Sequence, residues 1–399
     1  MDNSTNLSVI CQCLQMLNIN SSRDSVLDYR ARKLFVGSSL LLFIEAQLQQ
    51  RESYAEMSEH LEANEDFQAI LGGLESISPS QLSRKMKKLP LENLHLLFMQ
   101  VTRQIQQLTE NKPGITTKIG KLAIMDSTQI TLPAILSKWA YCSASNHGVK
   151  MHTSLLVVDA KTMVPDKIIA STKDVADHEV APNFTVDKEV TYVMDRGYQV
   201  HKHFQAWVDQ GMKFVARVKD NTRLTILKER ALPKRGDFIR DADVTLPGQQ
   251  MKLRLIEFQD QQGRLYRLVT SRMDLSVHQI ADVYRHRWQI ELFFKWIKQH
   301  LRLVKPHGYT AEAIWNQMYI ALISYALCLL LRLKLECKQT VWQLLRLIRL
   351  YADRSWTRLH EALFKKPTRS SKGRTKRNGR PPKQANKSMK PRIIVEVLN

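Results

Sequence analysis

Apolar residues recur at helical spacing through the first 110 positions. Residues 30–50 carry two apolar clusters and no proline, and residues 54–61 follow as a second amphipathic segment. Further on, Ser78, Pro79 and Gln81 match a capped helix start, with serine at the N-cap, proline at N1 and glutamine at N3. The sequence therefore predicts an all-helical N-terminal domain over residues 1–115.

The helix that begins after Ser78 is rich in cations, including Arg84 and Lys85. A short helix, a turn and a capped basic helix are typical of helix-turn-helix proteins, in which the second helix contacts DNA. We therefore predict that Arg84 and Lys85 bind DNA. An ordinary helical bundle with a solvated basic face is an equally good interpretation, because helix-turn-helix geometry is weakly encoded in one sequence.

From residue 119 the pattern changes to short apolar runs separated by turns. Five such runs are strand-like, and two helical segments fall between the later ones, at about 174–186 and 199–210. The five runs cover 121–125, 152–158, 164–170, 190–194 and 214–218. This order predicts a mixed α/β sheet with helices on its faces.

Residues 220–263 read as β-rich with several turn signals, which indicates an insertion into the α/β domain. A further strand at 264–271 precedes one long predicted helix from Ser276 to about Leu303. Residues 336–364 are predicted to be a C-terminal helical segment.

The stretch 313–331 has no charged residue and is close to the length that spans a bilayer. It contains Asn316, Gln317 and Ser324, so a buried core helix is the better interpretation. We expect no membrane association and a cytoplasmic location.

Lysine and arginine outnumber aspartate and glutamate, and the formal net charge is +22. Such an excess favours a polyanionic partner, usually nucleic acid, although mere solubility is the alternative. The five cysteines are scattered without a CxxC pair, which argues against a disulfide framework and a zinc ribbon.

Much of the positive charge lies near the C-terminus. Residues 365–392 hold 12 lysines and arginines and no acidic residue, so we expect the tail 365–399 to be disordered when free and to bind DNA. Arg380 lies in a Gly-Arg-Pro core that resembles an AT-hook, a short arm for the minor groove. A non-specific basic tail is at least as good an interpretation.

Asp126 and Asp195 each follow an apolar strand and precede a turn, where α/β sheets commonly present functional groups. On the long predicted helix, four polar residues fall within an arc of about 60° at 100° per residue. These are Tyr284, Arg287, Glu291 and Lys298. The stripe is either a surface salt-bridge ladder or, with the two aspartates, part of a three-carboxylate pocket for two divalent ions.

The four helix residues match the Y-x2-R-x3-E-x6-K signature, and the chain thereby resembles DDE transposases of bacterial insertion sequences, in the insertion-sequence-four family. Asp126 and Asp195 resemble the first and second acids of that family. The resemblance implies a ribonuclease-H-like catalytic core over 116–335 with a β insertion at about 220–263.

The resemblance also implies an activity and its partners. Asp126, Asp195 and Glu291 would be catalytic and would bind two Mg²⁺ ions, with Mn²⁺ able to substitute. Double-stranded DNA would be cut at the terminal inverted repeats and its 3′-hydroxyl ends joined to target DNA by a homodimer. Tyr284, Arg287 and Lys298 would contact the DNA.

One feature departs from better-known relatives, in which an aromatic residue of the insertion, often tryptophan, supports a flipped base in a hairpin intermediate. Residues 215–270 contain no tryptophan, only Phe238, Phe258 and Tyr266. The sequence therefore leaves hairpin chemistry open.

Two other functions compete with a transposase. One is a non-catalytic DNA-binding protein on the same fold, against which the presence of all three acids argues. The other is a metal-dependent nuclease that cuts without joining, which only a strand-transfer assay distinguishes.

Overall fold

Six helices form the N-terminal part of the protein in the computed structural model, which describes residues 7–143, 146–160, 162–234, 237–301 and 306–365. They are α1 (Val9–Gln15), α2 (Val36–Gln49), α3 (Tyr54–Ala63), α4 (Glu65–Ile70), α5 (Pro79–Lys88) and α6 (Leu91–Thr109). The predicted start of α5 is confirmed: the Ser78 side chain accepts a hydrogen bond from Gln81 N, and Pro79 is the first helical residue.

A single large sheet follows the helices. Its strands are β1 (Leu122–Thr131), β2 (Tyr141–Ser143), β3 (Asn146–Asp159), β4 (Thr162–Thr172), β5 (Thr191–Met194), β6 (Lys213–Arg217), β7 (Thr225–Glu229), β8 (Phe238–Thr245), β9 (Leu253–Gln259) and β10 (Leu265–Thr270). The order is β2-β3-β1-β5-β6-β10-β9-β8-β7, and β4 pairs with β3. Among the described strands, only the β1–β5 and β5–β6 pairings are parallel.

The segment expected to be β-rich extends this sheet. Strands β7, β8 and β9 lie within 220–263 and continue the sheet beyond β10 by antiparallel pairing. Every residue of β7 is exposed, and β7 ends this side of the sheet.

Seven more helices complete the described part of the chain. They are α7 (Asp177–Phe184), α8 (His201–Asp209), α9 (Val277–Arg285), α10 (Trp288–His300), α11 (Ala311–Lys334), α12 (Val341–Leu350) and α13 (Trp356–Phe364). Alternate β1 side chains belong to two apolar cores: Leu122 and Ile124 pack with α9–α11, whereas Ala123 and Met125 pack with α7 and α8. Helices therefore cover both faces, and the predicted mixed α/β class is confirmed.

Helix α11 is the buried centre of the helical layer, as predicted. It packs against α2, α5, α6 and α12, and Asn316 donates hydrogen bonds to the last carbonyls of α5, those of Met86 and Leu89. By length and composition α11 could cross a membrane, but 94% of its most apolar window is buried inside the protein.

The prediction of one long helix from Ser276 to about Leu303 is wrong, because two helices occupy this stretch. Helix α9 ends at Arg285 and α10 begins at Trp288, with a tight turn between them. In this turn Arg287 N bonds to the Tyr284 carbonyl at 3.0 Å, the shorter spacing of a 3₁₀ turn. Arg287 is consequently the N-cap of α10 rather than a residue of a helix interior.

Candidate active site

Asp126 and Asp195 lie side by side in the sheet. The parallel pairing of β1 with β5 ends at the Met125–Met194 pair. Asp126 and Asp195 directly follow these two methionines in the chain. The prediction that Asp126 lies at a strand end is wrong, because β1 continues along β3 as far as Thr131. The second half of β1 was missed in the sequence because its residues become polar at the point where the pairing with β5 ends.

The carboxylate of Asp195 is held by its own turn. Gly197 N donates a hydrogen bond to Asp195 Oδ1 at 2.8 Å. A Cβ atom at position 197 would lie 3.0 Å from that oxygen, so glycine permits the close approach.

Arg287 connects the sheet to Glu291. Its Nη1 donates to Asp126 Oδ2 at 3.2 Å, and its Nη2 donates to Glu291 Oε1 at 2.5 Å. The guanidinium is largely buried and lies 6.0 Å from the centre of the Tyr284 ring. The predicted grouping of Tyr284, Arg287 and Glu291 is therefore present, with the arginine between the first and third acids.

Lys298 contacts β1 farther along the strand than Asp126. Its Nζ donates to the carbonyl of Gln129 at 2.9 Å, three residues beyond Asp126 on β1. Burial and the nearby charge of Lys173 lower the pKa of Lys298. Lys298 thus contributes positive charge near the carboxylates without contacting them.

The environment of Asp126 disfavours its charge. Burial raises the pKa of Asp126 to about 7, and the negative charges of Asp195 and Asp177 act in the same direction. The hydrogen bond from Ser127 N and the charge of Arg287 oppose this shift. A perturbed carboxyl beside two other acids is typical of a functional site.

The donor chemistry fits hard divalent cations, since Asp126, Asp195 and Glu291 all offer carboxylate oxygens. In addition, the buried Oγ1 of Thr153, which pairs with Asp126 in the sheet, has no hydrogen-bond partner within the described residues. Over those same residues no three acidic, histidine or cysteine side chains form a ready-made metal cluster. The positive charge of Arg287 instead lies between two of the acids.

A known protein family matches the part of the chain that holds these residues. Residues 118–327, more than half of the chain, match the family described as the transposase DDE domain. The chain belongs to the DDE transposase family. It is an enzyme of DNA transposition, and this family generally depends on divalent metal ions.

Curated relatives of the transposase have consistent names. The chain is 28% identical over 263 residues to a probable transposase for insertion sequence element IS5377 of Geobacillus stearothermophilus, covering 64% of this chain and 68% of the relative. It is 29% identical over 267 residues to the putative transposase y4zB of Sinorhizobium fredii, covering 64% and 74%. A putative transposase for insertion sequence element IS4SA of Synechocystis is 24% identical over 289 residues, covering 69% and 78%. The predicted resemblance to insertion-sequence transposases is confirmed.

A cleft of about 650 Å³ opens beside Arg287 and Tyr284 in the transposase. Phe258 and Tyr266 stack on its wall with ring centres 5.2 Å apart, and the Arg217 guanidinium lies 4.5 Å from the Tyr266 ring centre. Trp288 borders the cleft and is 58% exposed. The cleft therefore has an exposed indole, which comes from α10 and not from the insertion.

The two predicted DNA-binding residues of α5 have different environments. Arg84 is exposed, and it lines a shallow depression with cations of the loop before α2, namely Arg30, Arg32 and Lys33. Lys85 is half-buried, where its Nζ donates to the Leu34 carbonyl at 3.0 Å and lies 3.6 Å from Asp28 Oδ1. Lys85 therefore has a structural partner, whereas Arg84 faces solvent. Arg380 lies outside the described residues.

Two residues near the acids escaped the sequence reasoning. Asp177 begins α7 and acts electrostatically on Asp126, and Lys173 donates to Thr131 Oγ1 at 3.0 Å near Lys298. Neither residue stands in a spacing pattern with the signature, so only the folded arrangement identifies them.

Proposed function

We propose that this transposase cuts DNA at the terminal inverted repeats of an insertion sequence and joins the resulting 3′-hydroxyl ends to target DNA. The observation that carries the proposal is that Arg287 bonds to both Asp126 and Glu291, while Asp195 follows the strand that pairs with β1 just before Asp126. Carboxylates next to a phosphate-binding cation are what metal-dependent phosphodiester chemistry requires.

The proposed catalytic core, residues 116–335, is ribonuclease-H-like. Its support is the arrangement of β4, β3 and β1 as antiparallel neighbours followed by the parallel strands β5 and β6. In this proposal β7–β9 form the insertion, residues 1–115 the helical DNA-binding domain, 336–364 a helical segment and 365–399 a DNA-binding tail.

Asp126, Asp195 and Glu291 would hold two Mg²⁺ ions, for which Mn²⁺ could substitute. When bound, the ions supply activation of the attacking water or 3′-hydroxyl and stabilisation of the leaving oxygen.

Arg287 has two successive roles in this proposal. In the free chain it neutralises Asp126 and Glu291, and in the DNA complex it turns to the phosphate of the cut strand. The ring of Tyr284, 6.0 Å from the guanidinium, limits the directions in which it can turn. Lys298 binds a neighbouring phosphate from the other end of the site.

The cleft beside Arg287 suits an unstacked base near the cut. Aromatic faces from Tyr266, Phe258 and Trp288 offer stacking surfaces, and Arg217 adds a cation. This arrangement supports base displacement during end processing, a step that the sequence left open.

Binding of the DNA duplex away from the cut is assigned to other cations. Arg84 and its neighbours Arg30, Arg32 and Lys33 form an exposed positive surface suited to phosphates. Arg380 and the basic tail would add non-specific affinity. A homodimer would hold two element ends, and a cytoplasmic location gives access to the bacterial nucleoid.

The test is Mg²⁺-dependent cutting and joining of a duplex that carries the ends flanking this gene. The wild-type chain is compared with Glu291→Gln and with Glu361→Gln, an exposed glutamate of α13 that serves as the matched control. We expect Glu291→Gln to abolish both reactions and Glu361→Gln to retain them.

The other outcomes define the competing functions. Cutting without joining by the wild-type chain would identify a nuclease. Binding without cutting under either Mg²⁺ or Mn²⁺ would identify a DNA-binding protein on this fold.

A further inference from the structure

A polar cluster lies on the face of the sheet opposite α10, directly behind the catalytic acids. Ser127 on β1 and His152 on β3 are paired in register, and Asp177 at the start of α7 lies over them. His152 Nδ1 is 3.1 Å and Lys150 Nζ is 3.5 Å from Asp177 Oδ1. Two buried nitrogen-bearing side chains thus lie beside the Asp177 carboxylate.

Ser127 links Asp177 to the first catalytic acid. Its hydroxyl faces Asp177 and, as a hydrogen-bonding neighbour, lowers the pKa of that carboxyl, whereas its backbone N–H donates to Asp126 Oδ1 at 2.8 Å. Because adjacent residues of a strand face opposite sides of the sheet, one residue can bond to both carboxylates. A shift of Asp177 would therefore move the donor that orients Asp126.

Gly197 links Asp177 to the second acid. Its N–H donates to Asp195 Oδ1, and a Cβ atom at this position would lie 3.6 Å from Asp177 Oδ2. Asp177 thus packs against the turn that orients Asp195. One carboxylate supports the donors of both catalytic acids.

Tyr198 gives a second, independent indication that this cluster belongs to the active site. The tyrosine is fully buried, and its hydroxyl has no hydrogen-bond partner within the described residues. It interacts electrostatically with Asp177, Asp126 and Asp195. A buried hydroxyl without a partner is costly, which is typical of functional sites rather than of ordinary cores.

We propose that Asp177 is a positioning residue of the transposase, which aligns Asp126 through Ser127 and Asp195 through Gly197. This inference rests on the proposed function, since alignment matters for cation binding by the acids. The charge of Asp177 is already balanced by Lys150, so Asp177 acts by holding the donors and not as a further metal ligand.

The test measures binding of Mn²⁺ alone to the full chain by electron paramagnetic resonance, which reports free Mn²⁺. The variants are Ser127→Ala, Asp177→Asn and their combination, together with Asp126→Asn as the positive control. Ser324→Ala, which removes a buried serine hydroxyl bonded to the Ile320 carbonyl on α11, is the matched control. Affinity for duplex DNA is measured in parallel by fluorescence anisotropy, with a chelator present so that metal binding does not contribute.

We expect Ser127→Ala to weaken Mn²⁺ binding by about three- to tenfold, the effect of one hydrogen bond. Asp177→Asn should weaken it at least as much, and the double variant no more than the product of the single effects, because both act along one path. DNA affinity and the Mn²⁺ affinity of Ser324→Ala should stay within about twofold of wild type.

If a folded Ser127→Ala chain keeps its Mn²⁺ affinity while Asp126→Asn loses it, the positioning role of Asp177 is overturned and the proposed function stands. If Asp177→Asn does not fold, the Mn²⁺ affinity of Ser127→Ala still tests the positioning role. Unchanged Mn²⁺ affinity in Asp126→Asn would instead overturn the proposed function, and this inference with it.

Discussion

Arg287 donates a hydrogen bond to Asp126 at 3.2 Å, joining the start of α10 to the middle of β1. The same guanidinium bonds to Glu291, so one cation neutralises two of the three acids. Under the proposed function, metal ions and Arg287 compete for the same oxygens, while a DNA phosphate competes with those oxygens for Arg287. Metal and DNA binding should reinforce each other, because each releases a partner of the other.

Replacing Arg287 with glutamine should separate these two roles. Without DNA, Arg287→Gln should bind Mn²⁺ about three- to thirtyfold more tightly, since a charge-assisted competitor is lost. Cutting should nevertheless fall by about 10²- to 10³-fold, because a group that stabilises phosphate charge is removed. Calorimetric titration and a cleavage assay measure the two effects.

Arg358→Gln is the matched control for this pair of measurements. Arg358 lies on α13, away from the cleft, and is exposed, forming an ion pair with Glu361. This control variant should change neither the Mn²⁺ affinity nor the rate of cutting by more than about twofold. Equal metal affinity in wild type and Arg287→Gln would contradict the competition.

Asp126→Asn should stabilise the metal-free chain at high pH. The pKa of Asp126 is raised from 3.8 to about 7, so between these values the folded chain keeps a proton that the unfolded chain has lost. Wild-type stability must therefore fall as pH rises from about 4 to about 7, and an asparagine does not ionise.

The predicted difference in unfolding free energy is up to about 4 kcal/mol at pH 8 and is small near pH 4. Urea unfolding in the presence of a chelator measures it, with Asp282→Asn on the surface of α9 as the control. A pH-independent difference would show that Asp126 is not responsible.

Trp288→Ala should affect the handling of bases and leave stability unchanged. The indole is 58% exposed, so little packing is lost. Loss of one stacking surface should weaken the processed complex by about 1–3 kcal/mol. A 2-aminopurine probe next to the cut should lose its unstacking signal.

Leu350→Ala, which truncates another highly exposed apolar residue, is the control for Trp288→Ala. An unstacking signal that survives in Trp288→Ala would remove this tryptophan from the base-binding surface.

Arg84 and Lys85 are adjacent in sequence and should respond oppositely. Arg84→Gln should reduce the dependence of DNA affinity on log salt by about one, with no loss of stability. Lys85→Met should lower the unfolding free energy by about 1–3 kcal/mol, because the buried Asp28 loses a partner. Salt titrations of DNA binding and urea unfolding distinguish the two, and loss of stability in Arg84→Gln would refute the assignment.

By itself the sequence determined much about this protein. The capped start of α5, the alternating pattern of strands and helices and the buried character of α11 all follow from local rules of capping, periodicity and length. The signature spacing determined that Arg287 meets Glu291, because four residues separate neighbours on one helix face.

Only the tertiary structure decided the rest. The proximity of Asp126 and Asp195 depends on which strands are parallel neighbours, and no local pattern encodes that choice. Likewise, the break before Trp288, the burial of Lys85 and the approach of Asp177 to Ser127 each depend on partners distant in sequence. Local spacing sets which side chains share a face, whereas long-range packing sets what that face meets.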